Sequence, residues 1–188
     1  MVSMLYNYDM VNSKSTSLLW IECLVAAHKS LLRKFAATEN LQLVHIEILQ
    51  YLSICNKYSD TTQSLSEYLG QTKGSISQSL KYLEETKLVD RSQDTSDKRI
   101  YHLYLTATGQ TIVKKLAELI SFRIQEKSNS ELRNLLDSLQ KKTNHRSFGI
   151  CKTCKYNKNQ TKSGSTCGLT SEELTHSDSE KICREYSS

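Results

Sequence analysis

Apolar residues recur along most of this chain with a period near 3.6, the mark of amphipathic helices. Leu18, Ile21, Val25, Leu32 and Phe35 predict a first helix over 15–38, and Leu41, Val44, Ile48, Leu49 and Leu52 a second. The polar run from Asn56 to Thr62 interrupts the pattern. Two short helices are then predicted. Thr62 or Ser64 caps the one holding Leu65, Tyr68 and Leu69, with Ser64-x-x-Glu67 in capping-box form. Gly70 suits the left-handed position that ends it. Thr72 caps the next, whose Ile76, Leu80 and Leu83 form one stripe. Two helices joined so tightly are a helix-turn-helix candidate.

The period then changes to 2. Lys87–Arg91 and Arg99–Leu105 predict two strands around a polar turn, with Tyr101, Leu103 and Leu105 facing in and Ile100, His102 and Tyr104 facing out. A hairpin after a helix-turn-helix is a wing. Thr106 caps a long helix carrying Ile112, Val113, Leu116, Leu119 and Ile120, and Ser128-x-x-Glu131 opens another with Leu132, Leu135, Leu136 and Leu139. The fold class expected is mainly α with a small β wing: a winged helix-turn-helix over 41–106, flanked by helices over 15–38 and 107–144. Residues 1–13 are expected to form a loose arm, residues 14–146 the winged domain, and residues 147–188 a small metal-stabilised appendage.

Charge sharpens this picture. The chain of 188 residues carries a formal net charge of +5, compatible with a polyanionic partner. From Gln71 to Leu83 there is no acidic residue, although Glu67 and Glu84 flank the stretch. A DNA-recognition helix needs such a face, since carboxylates are repelled by phosphate. Gln71, Thr72, Lys73, Ser75, Ser77, Gln78 and Lys81 are its candidate contacts. The lysines suit the backbone, and Gln71, Ser75 and Gln78 suit base edges. Gly74 costs roughly 1 kcal/mol of helix stability relative to Ala and leaves room for close approach to DNA. Lys98 and Arg99 in the wing suit an adjacent minor groove. Asp94 and Asp97 are expected to hold these basic residues in place.

Asp94-Thr95-Ser96-Asp97-Lys98-Arg99-x-x-x-Leu103-x-Leu105-Thr106-x-x-Gly109 resembles the wing signature of MarR-type regulators. Leu65-x-x-Tyr68-Leu69-Gly70 and Ser75-Ile76-Ser77-x-x-Leu80-x-x-Leu83-Glu84 resemble the same family's helix pair. The likeness spans roughly 15–145. It implies a homodimeric transcription regulator whose first and last helices interlock, binding a pseudo-palindromic duplex operator. It also leaves room for a small-molecule effector. The family usually has Arg where this chain has Gln78, Ser96 and Lys98. The flanking apolar stripes also exceed what a winged unit alone needs, which independently favours a dimer.

The cysteines add a second theme. Cys23 and Cys55 lie in helical apolar patterns and are expected in the core. Cys151-x2-Cys154-x12-Cys167-x15-Cys183 falls within the last 38 residues. Such a short polar segment cannot bury a sizeable core, and a centre held by four thiolates would supply folding energy. The four are therefore expected to ligate one metal centre. The split second pair favours an iron–sulfur cluster over Zn2+, with a reversible disulfide third. The tail's Phe148-Gly149-Ile150-Cys151, Cys167-Gly168-Leu169-Thr170 and Ile182-Cys183-Arg184-Glu185 are similar to tails appended to a subset of MarR-like proteins.

The function expected is a regulator whose tail senses iron or redox state; the alternative is the same regulator with a structural zinc site and a small-molecule ligand. An enzyme is not expected. Cys151-Lys152-Thr153-Cys154 has the form of a thiol–disulfide oxidoreductase motif, but the chain has no proline and no βαβ pattern around it. No apolar run approaches the roughly 18 residues of a membrane span, and MVSMLYNYDM does not read as a signal peptide. A cytoplasmic location, with reduced thiols, is expected.

Overall fold

The computed structural model describes residues 13–95, 97–121, 127–143, 148–161 and 163–187. Almost all of the expected arm, Ser96 of the wing and the Ser128 side chain of the second capping box lie outside the described residues. The chain divides into two compact units, Met1–Ile46 and Glu47–Ser188.

In the first unit, α1 (Ser13–Thr38) begins slightly before the predicted start. It ends where Asn40 takes φ 55° and Leu41 N donates to the Ala36 carbonyl at 2.8 Å. Asn tolerates this left-handed conformation better than most residues. Leu32, Phe35 and Ala36 are buried, whereas Leu18, Leu19, Trp20, Leu24 and Val25 are exposed. Cys23, expected in the core, lies on this exposed N-terminal half. Helix α2 (Leu43–Ile54) starts here and runs into the second unit.

The second unit holds the winged fold. Helices α3 (Thr62–Leu69) and α4 (Lys73–Glu85) are joined by Gly70, whose φ of 63° is the left-handed turn the sequence called for. Thr61, not Thr62 or Ser64, caps α3, accepting from Ser64 N at 3.3 Å. Ser64 is instead buried against Thr61, Oγ to Oγ1 at 3.0 Å. Glu67 therefore makes no capping box; it bonds Gln63 and Arg184. Thr72 caps α4 as predicted, accepting from Ser75 N at 3.2 Å. Ile76, Leu80 and Leu83 are its buried residues, in a core with Ile48, Leu49, Tyr51, Leu65, Val89, Leu103 and Leu116.

The wing is an antiparallel ribbon of β1 (Val89–Gln93) and β2 (Tyr101–Leu105), in register Val89 to Leu105 and Gln93 to Tyr101. Of the inward set, only Leu103 is fully buried. Tyr101 is exposed and lies under the Arg91 guanidinium, 5.1 Å from the ring centroid. It sits at the far end of the ribbon, beyond the reach of the core. His102, expected to face out, is partly buried and held between Asp60 (2.6 Å) and Asp94 (3.0 Å).

Thr106 caps α5 (Ala107–Ile120), accepting from Gly109 N at 3.1 Å. A Cβ at position 109 would stand 2.1 Å from the Leu88 carbonyl oxygen, so only glycine lets this turn pack against the strand entry. Helix α6 (Lys127–Thr143) exposes Leu132, Leu135, Leu136 and Leu139.

The tail folds into two small sheets. In one, β3 (Gly149–Ile150) pairs with the final strand, β7 (Ile182–Cys183). In the other, β4 (Asn157–Lys158), β5 (Gly164–Cys167) and β6 (Glu173–Thr175) run in that order. Between β6 and β7, α7 (His176–Ser179) is a single turn with a Thr175–Asp178 capping box. A 3-10 turn over Cys151–Thr153 carries the close cysteine pair.

The tail packs on the winged unit rather than trailing from it. Phe148 is buried and meets Tyr68 edge-on at 5.2 Å and Tyr51 at 6.4 Å. Cys55, which is buried as predicted, bridges to Ile182. Burial pushes the Cys55 thiol up to about 12, so it stays a neutral core group. Among the described residues, no helix is long and apolar enough to cross a membrane.

Candidate DNA interface and four-cysteine site

The candidate interface is built by the Thr72 cap and the apolar stripe. With Ile76, Leu80 and Leu83 turned into the core, helical geometry leaves Thr72, Lys73, Ser75, Ser77, Gln78 and Lys81 exposed on the other side. Gln71 is half-buried, and its Oε1 accepts from Ser75 Oγ at 3.2 Å. Position 74 is open: a Cβ there would meet nothing closer than Thr72 Oγ1 at 4.0 Å. No packing within the chain requires this glycine. Lys81 reaches Glu85 at 3.9 Å, but both side chains are more than 60% exposed, so the pair neutralises little.

In the wing, Arg99 is held as the sequence suggested. Its Nε and Nη2 donate to Asp97 at 2.9 and 2.8 Å. Asp97 N in turn donates to Asp94 Oδ1 at 2.7 Å. The guanidinium holds the Asp97 carboxyl below its ordinary range. Lys98 is exposed, and its carbonyl accepts from Gln93 Nε2 at 2.6 Å. Bonds to Asp60 and Asp94 raise His102 above the ordinary imidazole value, so its charged form ties the wing turn to the loop before α3. Burial raises Asp60 even though His102 favours its charged form. The joint therefore depends on the His102 charge. This clamp lay beyond sequence reasoning, because Asp60 and His102 are 42 positions apart.

The four tail cysteines come together. Cys151, Cys154, Cys167 and Cys183 are all free thiols and line one mostly apolar cavity of about 110 Å³, with Asn56, Tyr58 and Asn157 also on its wall. Each sulfur has an N–H neighbour. Asn157 Nδ2 donates to Cys151 Sγ at 3.6 Å, and Ser187 N to Cys154 Sγ at 3.4 Å. Burial disfavours the Cys167 thiolate, but hydrogen bonds from the Thr170 and Leu169 backbone outweigh it and hold that thiol below its ordinary value. Burial raises Cys183, opposed by the neighbouring Asn56 amide and the Glu185 backbone. Burial likewise raises Cys151, reinforced by its three fellow cysteines and opposed by Asn157. Among the described residues, no three or more His, Cys, Asp or Glu side chains are grouped to hold a single metal ion.

Sequence reasoning missed Asn56 and Asn157, because a lone Asn in a polar run reads as a loop residue. A separate groove of about 750 Å³ runs between α6 and the tail, floored by Leu132, Leu136, Phe148 and Tyr186.

Residues 39–100 match the sequence model of the MarR family. Over this segment, which spans most of the winged helix-turn-helix, the chain is similar to the MarR family. Members of this family are transcription regulators, not enzymes. No curated protein matches the chain. Among solved structures, the MarR-type fold recurs in S. aureus MepR in its DNA-binding conformation, 18% identical over 68% of this chain and 98% of that one, with a TM-score of 0.53. It recurs in a MarR protein from Peptoclostridium difficile, 19% identical over 76% of this chain and 92% of that one, with a TM-score of 0.52. At such identities the likeness establishes the fold alone. The MarR match ends before the tail, so the four cysteines stand on their own geometry.

Proposed function

We propose that this chain is a DNA-binding transcription regulator that works as a homodimer, with a four-cysteine centre in its tail. The observation that carries the first part is the acid-free exposed face of α4, from Thr72 to Lys81, beside a wing that presents Lys98 and Arg99. Helix and wing together supply hydrogen-bond donors for base edges and cations for phosphates. The MepR structure named above was captured in a DNA-binding conformation, which fits this reading.

A homodimer is supported by what each unit leaves bare. Leu18, Leu19, Trp20 and Leu24 on α1 are more than half exposed, and α6 shows four leucines to solvent. Large apolar side chains exposed in such number on two helices suit an association face.

Cys151, Cys154, Cys167 and Cys183 would hold the centre. Sulfurs 2.3 Å from one zinc ion stand about 3.8 Å apart and enclose no further space. The four thiols share the wall of a cavity of about 110 Å³ with other side chains and are not grouped around one ion, which favours a larger group, an iron–sulfur cluster, over zinc. The N–H donors around the sulfurs fit ligands that are thiolates, because hydrogen bonds to sulfur stabilise the charge and tune the reduction potential. When bound, a cluster would supply sensitivity to iron supply or oxidants, and the chain's own residues would hold, shield and orient it.

Anaerobic purification with metal and sulfide analysis, followed by titration of promoter DNA, tests the whole reading. Expected are iron and sulfide with visible absorption, loss of both in C183S, and salt-dependent duplex binding by a dimer. A colourless protein with one zinc per chain would overturn the cluster, and absence of duplex binding would overturn the regulator.

A further inference from the structure

The tail is joined to the DNA-binding unit at one of the four cysteines. Strand β7 ends at Cys183, and the residues on either side of that sulfur grip the loop that leads into α3. Asn56 N donates to the Ile182 carbonyl at 3.0 Å, and Arg184 N donates to Ser59 Oγ at 2.8 Å. The Arg184 guanidinium then clamps Glu67 on α3, with Nε to Oε2 at 2.6 Å and Nη2 to Oε1 at 2.9 Å. Their side chains are only 19% and 23% exposed, so this bidentate pair is shielded from solvent.

Asn56 is itself 2% exposed and lines the four-cysteine cavity. Its Oδ1 is used by Tyr58 N and Ser59 Oγ, whereas its buried Nδ2 makes no well-formed hydrogen bond and is left to the Cys183 thiol, whose charged form it favours. A buried amide donor left facing a weak thiol acceptor is costly to keep, so a site that holds one beside four sulfurs suits a stronger acceptor there. Bridging sulfide or metal-bound thiolate is an acceptor of that kind. This donor comes from the DNA-binding unit, not from the tail.

The path continues to the interface through hydrogen bonds. Beside Glu67, Ser66 Oγ donates to the Gln71 carbonyl at 2.7 Å, and the Gln71 side chain accepts from Ser75. From Cys183 to the first turn of α4, every link is a neighbouring residue or a hydrogen bond.

We propose that the four-cysteine centre controls DNA affinity through this joint: with the centre intact, Arg184 holds Glu67 and fixes α3 beneath the recognition helix, and loss of the centre frees them. The inference rests on reading the four cysteines as one ligand set. Physically, a short polar tail depends on its centre for order. Stripping the centre releases β7, and with it both the Asn56 contact and the Arg184 clamp. Arg184, Glu67 and Asn56 are positioning residues; none is a ligand.

The test compares full-length wild type, R184Q and E67Q, each loaded and chelator-stripped, for metal content, absorption and binding to promoter duplex. Wild-type affinity should differ between the two states by at least about fivefold, the lower end of ordinary allosteric coupling. Both variants should keep the metal and spectrum while that ratio falls to within about twofold of unity. The charge-reversed pair E67R/R184E should recover part of it. K152A, which breaks only the Lys152–Glu180 pair within the tail, should keep the wild-type ratio. Should R184Q fail to load, E67Q decides alone, since Glu67 lies outside the tail. A loaded E67Q or R184Q with the full wild-type ratio overturns the joint, as does a loaded wild type indifferent to stripping. A wild type that holds no metal overturns the four-cysteine reading itself, and the joint with it.

Discussion

Substituting Lys73 and Lys81 together by Gln asks whether the exposed face of α4 lies against phosphates. Both residues are exposed, neither supports the core, and Gln has nearly the helix propensity of Lys, so the fold should survive. The substitution also removes the Lys81–Glu85 ion pair, which is solvent-exposed and contributes well under about 1 kcal/mol. The electrostatic consequence is larger. Each phosphate neutralised on B-DNA contributes about −0.9 to the slope of log affinity against log salt. In the proposed homodimer, two lysines in each subunit would account for about 3.6 of that slope. Between about 50 and 200 mM salt, this amounts to about two decades of affinity. Arg99 is left in place because its two bonds to Asp97 brace the wing turn, so its loss would change more than charge. Fluorescence anisotropy of labelled promoter duplex over that salt range, for wild type and K73Q/K81Q, measures the difference directly. A variant slope within about 0.5 of wild type would show that these lysines face solvent in the complex, and α4 would lose its assignment.

Three further outcomes follow from the packing. Gly109→Ala places a methyl 2.1 Å from the Leu88 carbonyl oxygen and should destabilise by about 2 kcal/mol or more, read by thermal melting; a change below about 0.5 kcal/mol would mean the wing base yields freely. Phe148→Ala removes the ring seated on Tyr51 and Tyr68, should cost about 3 kcal/mol and should make the tail cleavable by protease in a native protein; unchanged resistance would show that other contacts hold it. His102 is raised by its two carboxylates, so its contribution is fully present below the unfolded value of 6.5 and is lost as pH rises through the higher folded value. Wild-type stability relative to H102Q should therefore decline above pH 6.5, and a difference independent of pH would refute the clamp.

The order of elements was legible because its signals are local. The apolar stripe of α4, the Thr72 and Thr106 caps and the Gly70 turn each depend on residues within a few positions, where backbone geometry and side-chain chemistry act directly. Errors in the same region arose where several local solutions compete. Thr61, Thr62 and Ser64 are all capable caps, and burial of Ser64 selects Thr61. The wing alternation placed Leu103 inward correctly, but Tyr101 projects past the core and His102 is drawn in by Asp60 and Asp94, which the period does not encode.

The cysteine spacing alone pointed to a shared centre, because four thiols in a short polar segment need a common purpose to fold. That they surround one cavity, and that the DNA-binding unit reaches in with Asn56, was decided by tertiary structure. Arg184 meets Glu67 across 117 positions, and Lys57 meets Glu172 across 115. Contacts at such separation leave no periodicity or capping signature in the chain. Closing so long a loop costs entropy that burial of Phe148 against Tyr51 and Tyr68 helps to offset. By itself the sequence determined the order of elements in the winged unit and set four cysteines in one short segment; how tail and winged unit are joined belongs to the packing.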